Sequence, residues 1–94
     1  MKKALLFLLE MTWLINSSPA QKSGQDRIDS LLSVLQTSEG DTNQVNLLSD
    51  ISFTYYSIDP DEGIKYGKQA LDLAEKLNWK KGIADANRVI GENY

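Results

Sequence analysis

Cysteine and histidine are both missing from the 94 residues. Without cysteine there is no disulfide framework, no thiolate metal site and no lipid-modified N-terminal cysteine. Without histidine, neither a zinc-ligand set nor a Ser-His-Asp or Cys-His catalytic pair can be assembled, and no phospho-accepting imidazole exists. Positive charge is scarce as well, with ten lysines and arginines against thirteen acids and a net charge of −3. A mildly acidic surface offers phosphate backbones no counter-charge, which argues against nucleic-acid binding. Nor is there an unbroken apolar run of the roughly 20 residues that cross a membrane.

The nearest approach to such a run lies at the N-terminus. Lys2 and Lys3 precede Ala4-Leu5-Leu6-Phe7-Leu8-Leu9, Glu10 interrupts, Met11 to Ile15 resume, and Ser18-Pro19-Ala20 come next. A basic start, a short apolar stretch and small residues before a cut describe a secretory signal peptide over residues 1–20, cleaved after Ala20. The other readings of this segment are an uncleaved anchor and a buried helix, and Glu10 weakens partitioning into the membrane. Cleavage would remove Lys2, Lys3 and Glu10, so the net charge of −3 becomes −4. The expected location is periplasmic or on the extracellular face, with no membrane contact for the mature segment itself.

The chain beyond Ala20 is patterned as helix. After the polar stretch Gln21 to Gln25, Ile28, Leu31, Leu32 and Leu35 recur at i, i+3, i+4 and i+7, while Asp26, Arg27, Asp29, Ser30 and Ser33 take the other face. Thr37 to Gly40 end this helix. Asp41 or Thr42 can cap a second, from about Gln44 to Ser57, with Val45, Leu48, Ile51, Ser52 and Tyr55 inward. Ile58-Asp59-Pro60 breaks the chain, since proline disfavours helical geometry before it and is at ease in the first turn of a new helix. A third helix spans Asp61 to about Leu77, with Ile64, Gly67, Ala70, Leu71, Ala74 and Leu77 as its stripe. Asn78 stops it, and Lys80-Lys81-Gly82 lead to a fourth beginning near Ile83. The fold class expected is all-α.

Two of these helices share a signature. Leu48, Ile51, Ser52 and Tyr55 recur as Asn87, Ile90, Gly91 and Tyr94, each pair 39 residues apart. A fixed period of roughly 20 to 50 residues marks a repeat, in which each hairpin must stack on a neighbour to cover its apolar face. In these residues the chain resembles the tetratricopeptide repeat, whose first helix carries a large residue, leucine, glycine and tyrosine at positions four, seven, eight and eleven, and whose second carries small residues, matched here by Gly63, Gly67 and Ala70. Asn87 departs from the pattern at position four. The wording from Asp41 to Leu48, Pro60 to Tyr66 and Ala74 to Ala84 is similar to the start of exported bacterial proteins of this family. There the repeats often form the sensory region of a histidine kinase, an adenylate cyclase or a helix-turn-helix regulator.

The resemblance implies a helix–turn–helix repeat, an α-solenoid fragment, with residues 21–40 as an N-terminal cap helix, 43–78 as the hairpin and 79–94 as the first helix of a second, truncated repeat. It also implies a concave groove for a protein or peptide. Its positions fall on Asn46, Ser49, Asp50, Phe53 and Tyr56 in one helix and Asp85, Arg88, Val89 and Glu92 in the other. The lysine and asparagine clamp by which some members hold a chain terminus is not matched. No catalytic, cofactor-binding or metal-binding residues are read: Asp59 to Gly63 lack calcium-loop spacing, since Ala70 stands where the bidentate glutamate belongs. The expectation is an exported interaction scaffold, the N-terminal sensory part of a longer signalling protein. The alternatives are the extracytoplasmic end of a kinase or cyclase and a small structural protein. Because about three repeats are needed for a continuous core, the isolated chain is expected to be marginally stable and to self-associate through its unfinished repeat.

Overall fold

The computed structural model describes residues 19–94, so the signal-peptide reading, apart from its last two residues, lies outside the described residues. These form four α-helices in order: α1 Pro19–Gln36, α2 Thr42–Tyr55, α3 Pro60–Lys76 and α4 Lys80–Asn93. Among the described residues there is no strand, and this part of the chain is all-α as its periodicity predicts.

The helix ends are set by side chains that supply the partners a helix terminus lacks. Asp41 caps α2 by accepting the Gln44 N–H at 3.1 Å. Asp59 accepts the Glu62 N–H at 3.4 Å, with Pro60 in the first turn and Asp61 and Glu62 favourably placed against the helix dipole. α3 ends in a Schellman motif. The Trp79 N–H donates to Ala74 O and the Asn78 N–H to Glu75 O, while Asn78 turns left-handed at φ 53°. A left-handed residue other than glycine is strained, asparagine least of all. Asn78→Gly should therefore raise stability by about 0.5–1 kcal/mol and Asn78→Val lower it by about 1–2 kcal/mol, read from urea midpoints.

Two helices begin earlier than the sequence pattern places them. α1 takes in the polar stretch Gln21 to Gln25, which carries no apolar periodicity to announce it. α4 starts at Lys80 and not near Ile83, because extended Trp79 already accepts the Ile83 N–H at 3.0 Å. Lys80, Lys81 and Gly82 form its first turn, and Gly82 lies against the Trp79 ring, where a Cβ would come within 2.3 Å of Cε3.

Each helix packs antiparallel on the next. Early Gly24 of α1 lies against Ile58 just past the end of α2, late Ser52 of α2 meets early Gly63 of α3, and Gly63 in turn faces Asn93 at the end of α4. α2 and α4 also touch directly and run parallel, since Asn93 near the end of one reaches Ser52 near the end of the other. Val45, Leu48, Ala70, Ala74 and Ala86 form a core cluster that Leu35, Trp79 and Ile83 cover. Ile28, Ile51, Val45 and Val89 are the largest fully buried apolar side chains. Each contributes about 1.5–3 kcal/mol, more than any of the exposed ion pairs.

The helices meet over small residues. The Ser52 hydroxyl donates to Gly63 O at 2.6 Å. The Asn93 side-chain amide donates to Ser52 O at 3.0 Å and Val89 O at 2.8 Å, so one buried polar junction ties α2, α3 and α4 together. The Tyr55 ring, also on α2, stacks on Tyr66 of α3 at 5.7 Å. Burial first, then Tyr66, Glu62, Asp59 and Asp29, raise the Tyr55 hydroxyl above its ordinary 10.0. The folded chain thus disfavours the phenolate. This contribution to stability is full below pH 10 and is lost as pH rises through the Tyr55 titration, which a pH series of urea midpoints with Tyr55→Phe as control will show.

Candidate functional site

The parallel pairing of α2 and α4 brings their outer faces side by side. On α2, Asn46, Ser49, Asp50, Phe53 and Tyr56 succeed one another at helical spacing, the last just past the helix end, and on α4 Asp85, Arg88 and Glu92 do the same. Two clefts lie along this surface. One of about 410 Å³ is lined by Asn46, Ser49, Asp50, Phe53, Asp85 and Arg88. The other, of about 370 Å³, is lined by Phe53, Tyr56 and Glu92. Phe53 belongs to both, half-exposed at 50%.

Of the residues the sequence assigns to a groove, all but Val89 line one of these clefts. Val89 is a correction. It is 1% exposed and belongs to the core, because α4 turns Gly82, Ala86, Val89 and Asn93 toward the helices before it. The repeat signature on α4 lies instead on its less covered side: Ile90 is half-buried, Asn87 and Gly91 are exposed, and Tyr94 is 84% exposed. Of Ile83, Val89, Ile90 and Tyr94, the apolar face that an unfinished repeat is expected to leave open, Val89 is in the core, Ile83 and Ile90 are half-buried against the core and α3, and Tyr94 is the widely exposed member.

Charges around the clefts are arranged in pairs. Arg88 Nη1 contacts Glu92 Oε1 at 3.1 Å, and its guanidinium lies 6.0 Å from the centre of the Phe53 ring, within the range of a cation–π contact. Arg27 of α1 reaches Asp50 Oδ2 at 3.2 Å. Arg27 is the rim residue that sequence reasoning missed, having put it on a solvent face; the sole signal was its charge, since nothing local tells which helix end lies opposite. Asp85 has no ion-pair partner among the described residues. Ser49, 8% exposed, has an Oγ without a hydrogen-bond partner among the described residues. Trp79, at the loop between α3 and α4, packs on Gly82 and the core and is remote from this surface in its contacts.

No family model matches the chain, and neither a curated protein nor a solved structure resembles it significantly.

Proposed function

We propose that α2, α3 and α4 are one tetratricopeptide-type hairpin and the first helix of the next, and that the surface along α2 and α4 binds an extended segment of a protein or peptide. What supports this reading is the run of two adjoining clefts that meet at Phe53, an exposed aromatic beside a polar rim. Aromatic side chains of this kind supply much of the energy in peptide recognition, surrounded by polar groups of little individual weight. On this reading the chain is a binding scaffold and carries out no chemistry of its own. The export pattern of residues 1–20 makes it an exported scaffold, in keeping with the sensory region of a longer signalling protein. A weaker self-association through the end of α4, where Tyr94 is 84% exposed, belongs to the same reading.

The test is selection of random dodecapeptides on the immobilised full chain, followed by titration of the selected peptides. Phe53→Ala should weaken binding by about tenfold or more, equivalent to ~1.4 kcal/mol. Its thermal midpoint should hardly move, because a half-exposed ring contributes little to the core. Equal binding by wild type and Phe53→Ala would exclude the groove. Export is tested separately: protein recovered from the periplasm should begin at Gln21 or within a few residues of it, whereas an intact Met1 on cytoplasmic protein would remove the exported reading.

A further inference from the structure

We propose that the larger cleft selects a positively charged side chain in the bound peptide, arginine in preference to lysine; this rests on the peptide-groove reading and names what the groove takes. Three observations are met together by a cationic hydrogen-bond donor. The cleft is lined by two carboxylates and one cation, and that cation, Arg88, is already engaged by Glu92. Counting Glu92 and Arg27 with the lining, three acids face two arginines. An acidic segment laid here would meet Asp50, Asp85 and Glu92 with no free counter-charge, and a purely apolar one would cover them without a partner.

The second observation is the Phe53 ring. It already has the protein's own guanidinium near it at 6.0 Å. Glu92 gives Arg88 an alternative hold, so a peptide cation can share or replace it over the aromatic face. The third is Ser49. Its hydroxyl is more than nine-tenths buried in the cleft wall and makes no hydrogen bond among the described residues. Once the Ser49 hydroxyl turns into the cleft, a donor entering beside Asp85 supplies the partner that this oxygen lacks.

Arginine fits these requirements better than lysine. Its planar fork offers five donors to two carboxylates, a hydroxyl and the Asn46 amide, and its face stacks on an aromatic ring, whereas lysine is a compact and strongly hydrated point charge. The existing Arg27 to Asp50 pair does not block the site. Both partners are at least half-exposed, and such pairs exchange readily with a competitor.

Random dodecapeptides selected on the immobilised full chain should be enriched in arginine. One selected peptide is then synthesised unchanged and with citrulline, the neutral isostere, or lysine in place of its arginine. Titration calorimetry should show the citrulline form about five- to tenfold weaker and the lysine form between the two. Asp85→Asn should weaken the arginine peptide several-fold and leave the citrulline peptide unchanged. If peptides bind, lose affinity with Phe53→Ala, and yet the citrulline form binds as tightly as the arginine form, the cation selectivity is overturned while the groove stands. If selected peptides bind Phe53→Ala as well as wild type, the groove falls and the selectivity with it.

Discussion

Gly67→Leu should lower the stability of the chain by about 2–3 kcal/mol, seen as a lower urea midpoint with an unchanged slope. A single Cβ at Gly67 would come within 2.6 Å of Ile90 Cγ1 and 3.0 Å of Ser52 Oγ, before any further atom of leucine is added. The position therefore faces α2 and α4 at once. Removing a mid-helix glycine gains about 0.8–1.0 kcal/mol in helix propensity, and the substitution sets that gain against overpacking at a three-helix contact. Overpacking wins because neither neighbour can yield alone: Ile90 is packed on α3, and Ser52 is held to Gly63 O. Gly67→Ala brings the same Cβ against both neighbours but adds none of leucine's further atoms, and with the propensity gain set against it should be destabilised by no more than about 1 kcal/mol, clearly less than Gly67→Leu. A raised midpoint for the leucine variant would mean that the helices do not approach as described.

The second large effect concerns the polar junction. A Cβ at Gly63 would lie 2.1 Å from Asn93 Oδ1, 2.5 Å from Cγ and 2.8 Å from Nδ2, so alanine there must expel the whole amide. Ser52 O and Val89 O would then each lose this amide as a donor in a buried site, at about 1–3 kcal/mol for the two bonds together. Glycine to alanine returns about 1 kcal/mol of helix propensity, which leaves Gly63→Ala destabilised by about 1–2 kcal/mol. Asn93 Oδ1 is itself buried without a partner among the described residues, so Asn93→Ala loses less than a fully bonded amide would. In a double-mutant cycle, Gly63→Ala combined with Asn93→Ala should cost about 1 kcal/mol less than the sum of the two, because the clash is present only when both the methyl and the amide are. Additivity within about 0.3 kcal/mol would place Asn93 elsewhere.

Much of this architecture is legible in the chain itself, for identifiable reasons. Ile28, Val45, Leu48, Ile51, Ala70 and Ala74 repeat at helical spacing, and all are buried. Asp41, Pro60 and Asn78 carry local chemistry that marks a helix end whatever surrounds it. Gly67 can be paired with Ser52 from the repeat register. The early starts of α1 and α4 are not legible, since Gln21 to Gln25 carry no apolar periodicity and the role of Gly82 depends on where the Trp79 ring falls. Val89 shows the limit of transferring positions. The register puts it on an outer face, yet with Ala86 and Asn93 it faces α2 and α3, because on α4 the covered side is the one toward the preceding helices. The Asn93 junction is equally hidden, as an asparagine near a helix end reads as a surface residue until α2 and α3 are placed against it.

The claim that a peptide lies along α2 and α4 is tested most directly by amide NMR of the ¹⁵N-labelled full chain, titrated with a selected arginine-containing dodecapeptide. Shifts should concentrate at Asn46, Asp50, Phe53, Tyr56, Asp85, Arg88 and Glu92, with Lys65, Lys68 and Asp72 on the solvent face of α3 left in place. Shifts centred on that face of α3, with the residues around Phe53 unmoved, would contradict the claim.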